Sequence, residues 1–105
     1  MGKHHTIDNA INGGFTMATV RNMTGRTGRP VANQFIIDTP EAQFFQSYRT
    51  VIAKRCNDTG AITLDSRAWD YSTTTGKYRN QFLRMNKAET EKLIKDGTIT
   101  LADLN

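Results

Sequence analysis

Cysteine is nearly absent from this chain. Cys56 stands alone, so no internal disulfide is available, and a single thiol fits a reducing compartment. Histidine is almost as scarce. His4 and His5 are adjacent, so on a strand or a helix their rings diverge, and no second cysteine supplies a soft ligand for a metal. Both lie far from Cys56 in the sequence, which leaves that thiol without a base to activate it. No apolar run approaches the ~18–20 residues of a membrane span. Residues 1–15 also lack the apolar core of an export signal. No metal, no cofactor and no membrane partner are therefore expected.

Acid–base chemistry is equally thin. Asp58, Asp65 and Asp70 are the central carboxylates, and each has a structural explanation as a turn former, a helix approach or a partner for Arg67. Gly25 to Gly28 has the outline of a GxxG phosphate loop, but lacks a strand before it and a helix after it. The chain reads as a non-enzyme. What it does have is charge of one sign in particular places. The formal net charge is +4, with the basic excess in the leading third and the central body and a slightly acidic tail. An anionic partner is permitted by that balance.

Glycine and proline punctuation divides the 105 residues into a flexible, basic, glycine-rich arm over 1–33 and a single domain over 34–105. The arm contains Arg21, Arg26 and Arg29 among Gly, Thr and Asn, with too little apolar surface to offset the cost of ordering. Beyond it, Phe35, Ile36 and Ile37 form a β-prone run stopped by Asp38–Glu41, and Ala42 to Tyr48 resumes, reading as a hairpin. Val51 to Ala53 is a further strand, ended by the turn residues Asn57–Gly60. From Ala61 to Asp65 the pattern alternates as a half-buried strand should.

After Tyr71 the period changes. Ser72, Thr73 or Thr74 can cap a helix, whose Tyr78, Phe82 and Met85 recur at i, i+4, i+7. A second helix follows Asn86, with Glu89 near the capping-box position, Lys92 and Lys95 in its last turn and Gly97 closing it. Ile99 and Leu101 end the chain as a short strand or a core cover. The fold class expected is α+β: a small antiparallel meander of three or four strands with one or two C-terminal helices packed on one face.

Two features point to binding. Arg26 and Arg29 make the arm cationic, as suits a phosphate backbone. Arg67, Lys77, Arg79 and Arg84 lie in or next to the segment with Trp69, Tyr71 and Tyr78, and aromatic faces with cations are how single-stranded nucleic acid is held. The tentative nucleic-acid set is thus Arg26, Arg29, Arg67, Lys77, Tyr78 and Arg79, with Tyr78 against a base. Trp69 is weighted toward the core.

The run from Phe45 to Ala53, with Ser47, Tyr48, Ile52 and Ala53 in an S-Y-x-x-x-I-A pattern, precedes Ile62–Asp65. A Y-S-x-T-T-x-K-Y junction then spans Tyr71 to Tyr78, before Phe82 and Leu83. This arrangement resembles a short uncharacterised domain of tailed-bacteriophage proteins, across roughly Asn33 to Leu83. Where that pattern often has Ser, this chain has Gly76. The resemblance implies a phage origin and action in the host cytoplasm, and brings no activity with it. Two partner classes follow as expectations: nucleic acid, or a host protein bound by an inhibitor through an exposed aromatic patch or an unpaired sheet edge around Phe44 and Phe45.

Overall fold

A computed structural model of the chain describes residues 3–7 and 16–105, with side chains from Ala18 onward. The strands are β1 (Lys3–Ile7), β2 (Thr16–Thr24), β3 (Pro30–Asp38), β4 (Ala42–Ser47), β5 (Thr50–Cys56), β6 (Ile62–Asp65) and β7 (Thr100–Ala102), with helices α1 (Thr73–Leu83) and α2 (Lys87–Lys95) between β6 and β7. All seven strands join one sheet in chain order. Each neighbouring pair is antiparallel except β6 and β7, which run parallel across the two-helix connection. The class is α+β as expected, but the sheet is larger than the three or four strands read from the sequence.

The difference lies in the expected flexible arm, residues 1–33: residues 3–7 form β1 on the edge of the sheet, and residues 16–33 are ordered as well. They form β2, a tight turn and the start of β3. Met23 and Ala18 are buried, and the Gly25 amide donates to the Arg29 carbonyl at 2.8 Å while the Gly28 amide donates to the Gly25 carbonyl at 3.0 Å. Gly28 takes a φ of 81° there, a conformation glycine adopts without a Cβ clash. The misreading has a physical cause. Thr16, Thr19, Val20 and Thr24 are β-branched and favour strands, but a polar strand with a shift in register between Asn22 and Thr24 shows no apolar alternation. Pro30 opens β3, one of the few strand positions that tolerates it. The His4–His5 pair lies in β1, whose side chains are outside the described residues, as are Gly13 and Gly14 of the expected arm.

The remaining strands fall where the sequence puts them, and so do both helices. Ser72 caps α1 by accepting from the Thr75 amide, and Asn86 with Glu89 completes a capping box on α2. With three threonines and a glycine, α1 has weak intrinsic propensity, so tertiary contacts must sustain it. Those contacts are specific. The Phe82 ring lies 6.0 Å from that of Phe45, and the Thr75 hydroxyl meets that of Ser47 at 3.1 Å, fully buried. Phe45, Ile52, Ala53 and Leu64 of the sheet pack with Tyr78, Phe82, Leu83 and Ile99, while Leu93 and Ile94 of α2 lie partly buried against them. Each large apolar side chain sealed this way contributes about 1.5–3 kcal/mol. Met85, expected on the α1 face, falls outside the helix, because Arg84 adopts a φ of 61° and ends it.

No helix among the described residues is long and apolar enough to cross a membrane.

Candidate nucleic-acid interface

Strand direction sorts the turns to two ends of the sheet. Thr24 pairs with Pro30, Ser47 with Thr50, and Asp65 with Ala102. The turns 25–29 and 48–49 and the segment leaving β6 therefore share one end. At that end stand Arg26 and Arg29, then Tyr48 and Arg49, then Arg67, all exposed. The 25–29 turn projects furthest: Gln34 of β3 pairs with Ser47, so Pro30 stands roughly 13 Å along the strands beyond the level of Ser47. The opposite turns, 39–41 and 57–61, contain Glu41 and Asp58 and no base. Arg21 and Arg55 lie within β2 and β5 toward that end, while exposed arginines of three connections share the first.

These arginines are uncommitted. Among the described residues, ion pairs join only Arg21 to Asp38, and Arg79 and Lys87 to Asp70. The acids nearest the arginine end are accounted for differently. Asp103 accepts from the Asn105 amide at 3.0 Å. Asp65 accepts from the amides of Arg67, Ala68 and Leu104 and from the Asn105 side chain. Burial pushes the Asp65 carboxyl up, and these four donors outweigh it, holding the group below its ordinary value. It is a turn former, as expected, but it binds the Arg67 amide and leaves the Arg67 guanidinium free of it.

Tyr48 is the aromatic component the sequence reading missed. It occupies the first central position of a two-residue hairpin loop with a φ of 56°, where glycine is usual and a bulky residue is strained. The loop is well tied. The Tyr48 amide donates to the Asn33 carbonyl at 2.7 Å and its carbonyl accepts from the Gln46 side chain at 2.8 Å. Tyr48 as a residue is 56% exposed, and Tyr71 is 72% exposed. Strain retained under a fixed, exposed ring is a mark of function more often than of stability. The sequence places Tyr48 at the end of a strand, because Tyr48 and Arg49 carry none of the Gly, Asn or Asp that marks a two-residue hairpin loop.

Two members of the expected set move to the interior. Tyr78 is 9% exposed and Arg79 only 1%, so neither presents a ring or a guanidinium to a ligand. Arg79 donates to the Trp69 carbonyl at 2.8 Å and to Asn80 at 2.9 Å, pairs with Asp70 at 3.2 Å, and lies 5.2 Å from the Trp69 ring. The helix turns it inward because i+4 from Thr75, itself on the sheet-facing side, brings position 79 to that same side. Lys77 is exposed on α1 and lines an open hollow of about 640 Å³ with Asp70, Arg79 and Lys87. The Asp70 carboxyl there is held below its ordinary value chiefly by the Lys87 ammonium at 2.7 Å, and Lys87 is raised in return. Lys77, Arg79 and Lys87 give that hollow a cationic excess over the single Asp70 carboxylate, and Lys77 is the one member of the expected set exposed there. Arg26, Arg29 and Arg67 remain together at the sheet end, and Arg49 joins them.

The edge expected around Phe44 and Phe45 does not exist. β4 is paired on both sides, by β3 and β5, and Phe45 is fully buried. Cys56 is half-buried, and its thiol is drawn down by the Thr59 hydroxyl and the amides of Thr59 and Asp58, rather than by the neighbouring Lys54 or Arg55.

A family model spanning residues 18–97 matches this chain, and its description is a family of unknown function, DUF8033. The chain belongs to that family. The match takes in β2 to α2, and hence every residue of the arginine end as well as the segment that resembles the phage domain. No curated protein and no solved structure matches the chain.

Proposed function

We propose that this DUF8033 protein is a small, non-enzymatic, phage-type accessory protein that binds nucleic acid through the arginine end of its sheet. The observation that carries the reading is the convergence of Arg26, Arg29, Arg49 and Arg67 from three separate connections, exposed and without carboxylate partners among the described residues. Arginines spaced by rigid hairpins contact successive phosphates, and each neutralised phosphate releases condensed counterions. Tyr48, beside Arg49, offers a face on which a base stacks, worth about 1–3 kcal/mol by truncation. That combination favours a single strand over a duplex.

The test is fluorescence anisotropy with single-stranded DNA, single-stranded RNA and duplex DNA across a salt series. Affinity should fall with salt at a log–log slope of about −0.7 per phosphate contacted on a single strand. Combined Ser substitution of Arg26, Arg29, Arg49 and Arg67 should abolish the interaction, and Tyr48→Ser should weaken single-strand binding about tenfold. Absence of binding at low salt would defeat the proposal. Docking on a host protein is the competing reading, and capture of one partner from host lysate regardless of nuclease treatment would favour it.

A further inference from the structure

A second cationic feature lies away from the arginine end, on the face of the sheet that α1 crosses. Arg21, Gln43, Arg55, Gln81, Phe82 and Arg84 line a cleft of about 280 Å³. Cross-strand register aligns the sheet contribution: Arg21 pairs with Ile36, while Gln43 pairs with Arg55. From the helix, Gln81 donates to the Thr24 carbonyl at 3.0 Å and fixes α1 against β2. No carboxylate lines the cavity. The nearest acid engaged by its residues is the half-buried Asp38, which pairs with Arg21 at 3.5 Å and accepts from the Gln43 side chain at 2.8 Å.

Arg55 is built into this cleft rather than displayed on it. Its guanidinium lies 4.4 Å from the centre of the Phe82 ring, donates to Gln43 at 2.8 Å and donates to the Phe82 carbonyl. Those two bonds leave three of the five N–H groups of an arginine for a ligand. Arg84 comes from the end of α1. It caps the helix in a left-handed conformation, φ 61°, where glycine or asparagine is the usual residue. Burial, and then the charge of Arg84, pull Arg55 below its ordinary value. The two cations line one cleft, Arg55 held by Gln43 and the Phe82 carbonyl and Arg84 on a left-handed backbone. A cavity below the ~300–1,000 Å³ of a drug-sized site has room for a small oxyanion group.

We propose that this cleft binds a dianionic phosphate group, held by Arg55 and Arg84 with Arg21 at the mouth. Arginine suits that role, because its planar fork donates in parallel to two phosphate oxygens. The group can be free phosphate or the 5′-terminal phosphate of a nucleic acid. The inference does not depend on the arginine end, since the two sets share no residue.

Thermal unfolding in inorganic phosphate, against sodium chloride of equal ionic strength, tests it. The full chain should gain melting temperature with phosphate in a saturable way, and the variant lacking the four turn arginines should gain it equally. Arg84→Gly removes both the left-handed strain and the repulsion with Arg55, so it should melt no lower than the parent while binding phosphate at least about tenfold more weakly. Arg55→Gln provides a second variant with the same expected loss of binding. A 5′-phosphorylated oligonucleotide binding more tightly than its 5′-hydroxyl counterpart, with the difference lost in Arg84→Gly, assigns the group to a nucleic-acid end. Equal affinity of the two assigns it to free phosphate. A phosphate response no larger than that to chloride, or one undiminished in both variants, overturns the proposal.

Discussion

At the scale of single residues, the clearest division is between arginines that hold the structure and arginines that face outward. Arg79 was a candidate ligand contact by position, yet it spends its donors on the Trp69 carbonyl, Asp70 and Asn80. Its replacement should therefore act on stability. Arg79→Met keeps much of the volume and strands the Trp69 carbonyl, so it should cost about 2 kcal/mol, read from the urea midpoint, with nucleic-acid affinity of the folded fraction unchanged. Asp65 gives a residue-scale pH effect. Its folded carboxyl sits below the ordinary value, so its stabilisation is complete above the unfolded pKa, about 3.9, and is lost as pH falls through the folded one. Asp70 shifts in the same direction, led by the Lys87 ammonium. Urea midpoints should thus decline below about pH 4, and Asp65→Asn should be less stable at neutral pH and show a shallower decline.

At the scale of elements, α1 shows how packing overrides composition. A helix with Gly76 near its centre and threonines at its start is kept by its cap, by the buried Ser47–Thr75 contact and by the stacking of Phe82 on Phe45. A Cβ at Gly76 would meet the Arg79 guanidinium at 3.5 Å, an ordinary contact. Gly76→Ala should therefore stabilise the protein by up to about 1 kcal/mol through helix propensity, measured by denaturant unfolding. The β2–β3 hairpin is the element that sequence periodicity misses. Its strand signal is carried by threonines and its register breaks at Asn22, so neither apolar alternation nor uninterrupted spacing marks it. Helix boundaries were legible because caps are local chemistry: Ser72, Asn86 and Glu89 act within three residues of themselves.

At the scale of the molecule, the difference in charge between the turns at the two ends of the sheet is the property on which the proposed binding rests. It implies an asymmetric response to charge reversal. Arg26→Glu and Arg49→Glu should each lower affinity for single-stranded nucleic acid several-fold and flatten the salt dependence by about one phosphate or more. Glu41→Lys or Asp58→Lys, at the far end, should change affinity by less than about twofold in physiological salt, where the Debye length is about 8 Å. Anisotropy titrations at two salt concentrations separate these outcomes. Equal effects from both ends would mean that net charge alone governs the interaction.

The division between local and distant information follows from the same observations. By itself the sequence determined the class of the fold, the strands from Phe35 to Asp65, both helices with their caps, and the shortage of metal-binding and nucleophilic groups. Each of these depends on residues within about one helical turn or one hairpin of each other. Only the tertiary structure decided which charges are presented. Tyr78 and Arg79 are sealed inside because a sheet lies beneath α1, while Arg49 and Tyr48 are displayed because a two-residue loop closes β4 onto β5. Arg26, Arg29, Arg49 and Arg67 are separated by up to 41 positions, and they gather because alternating strand direction returns every second connection to the same end.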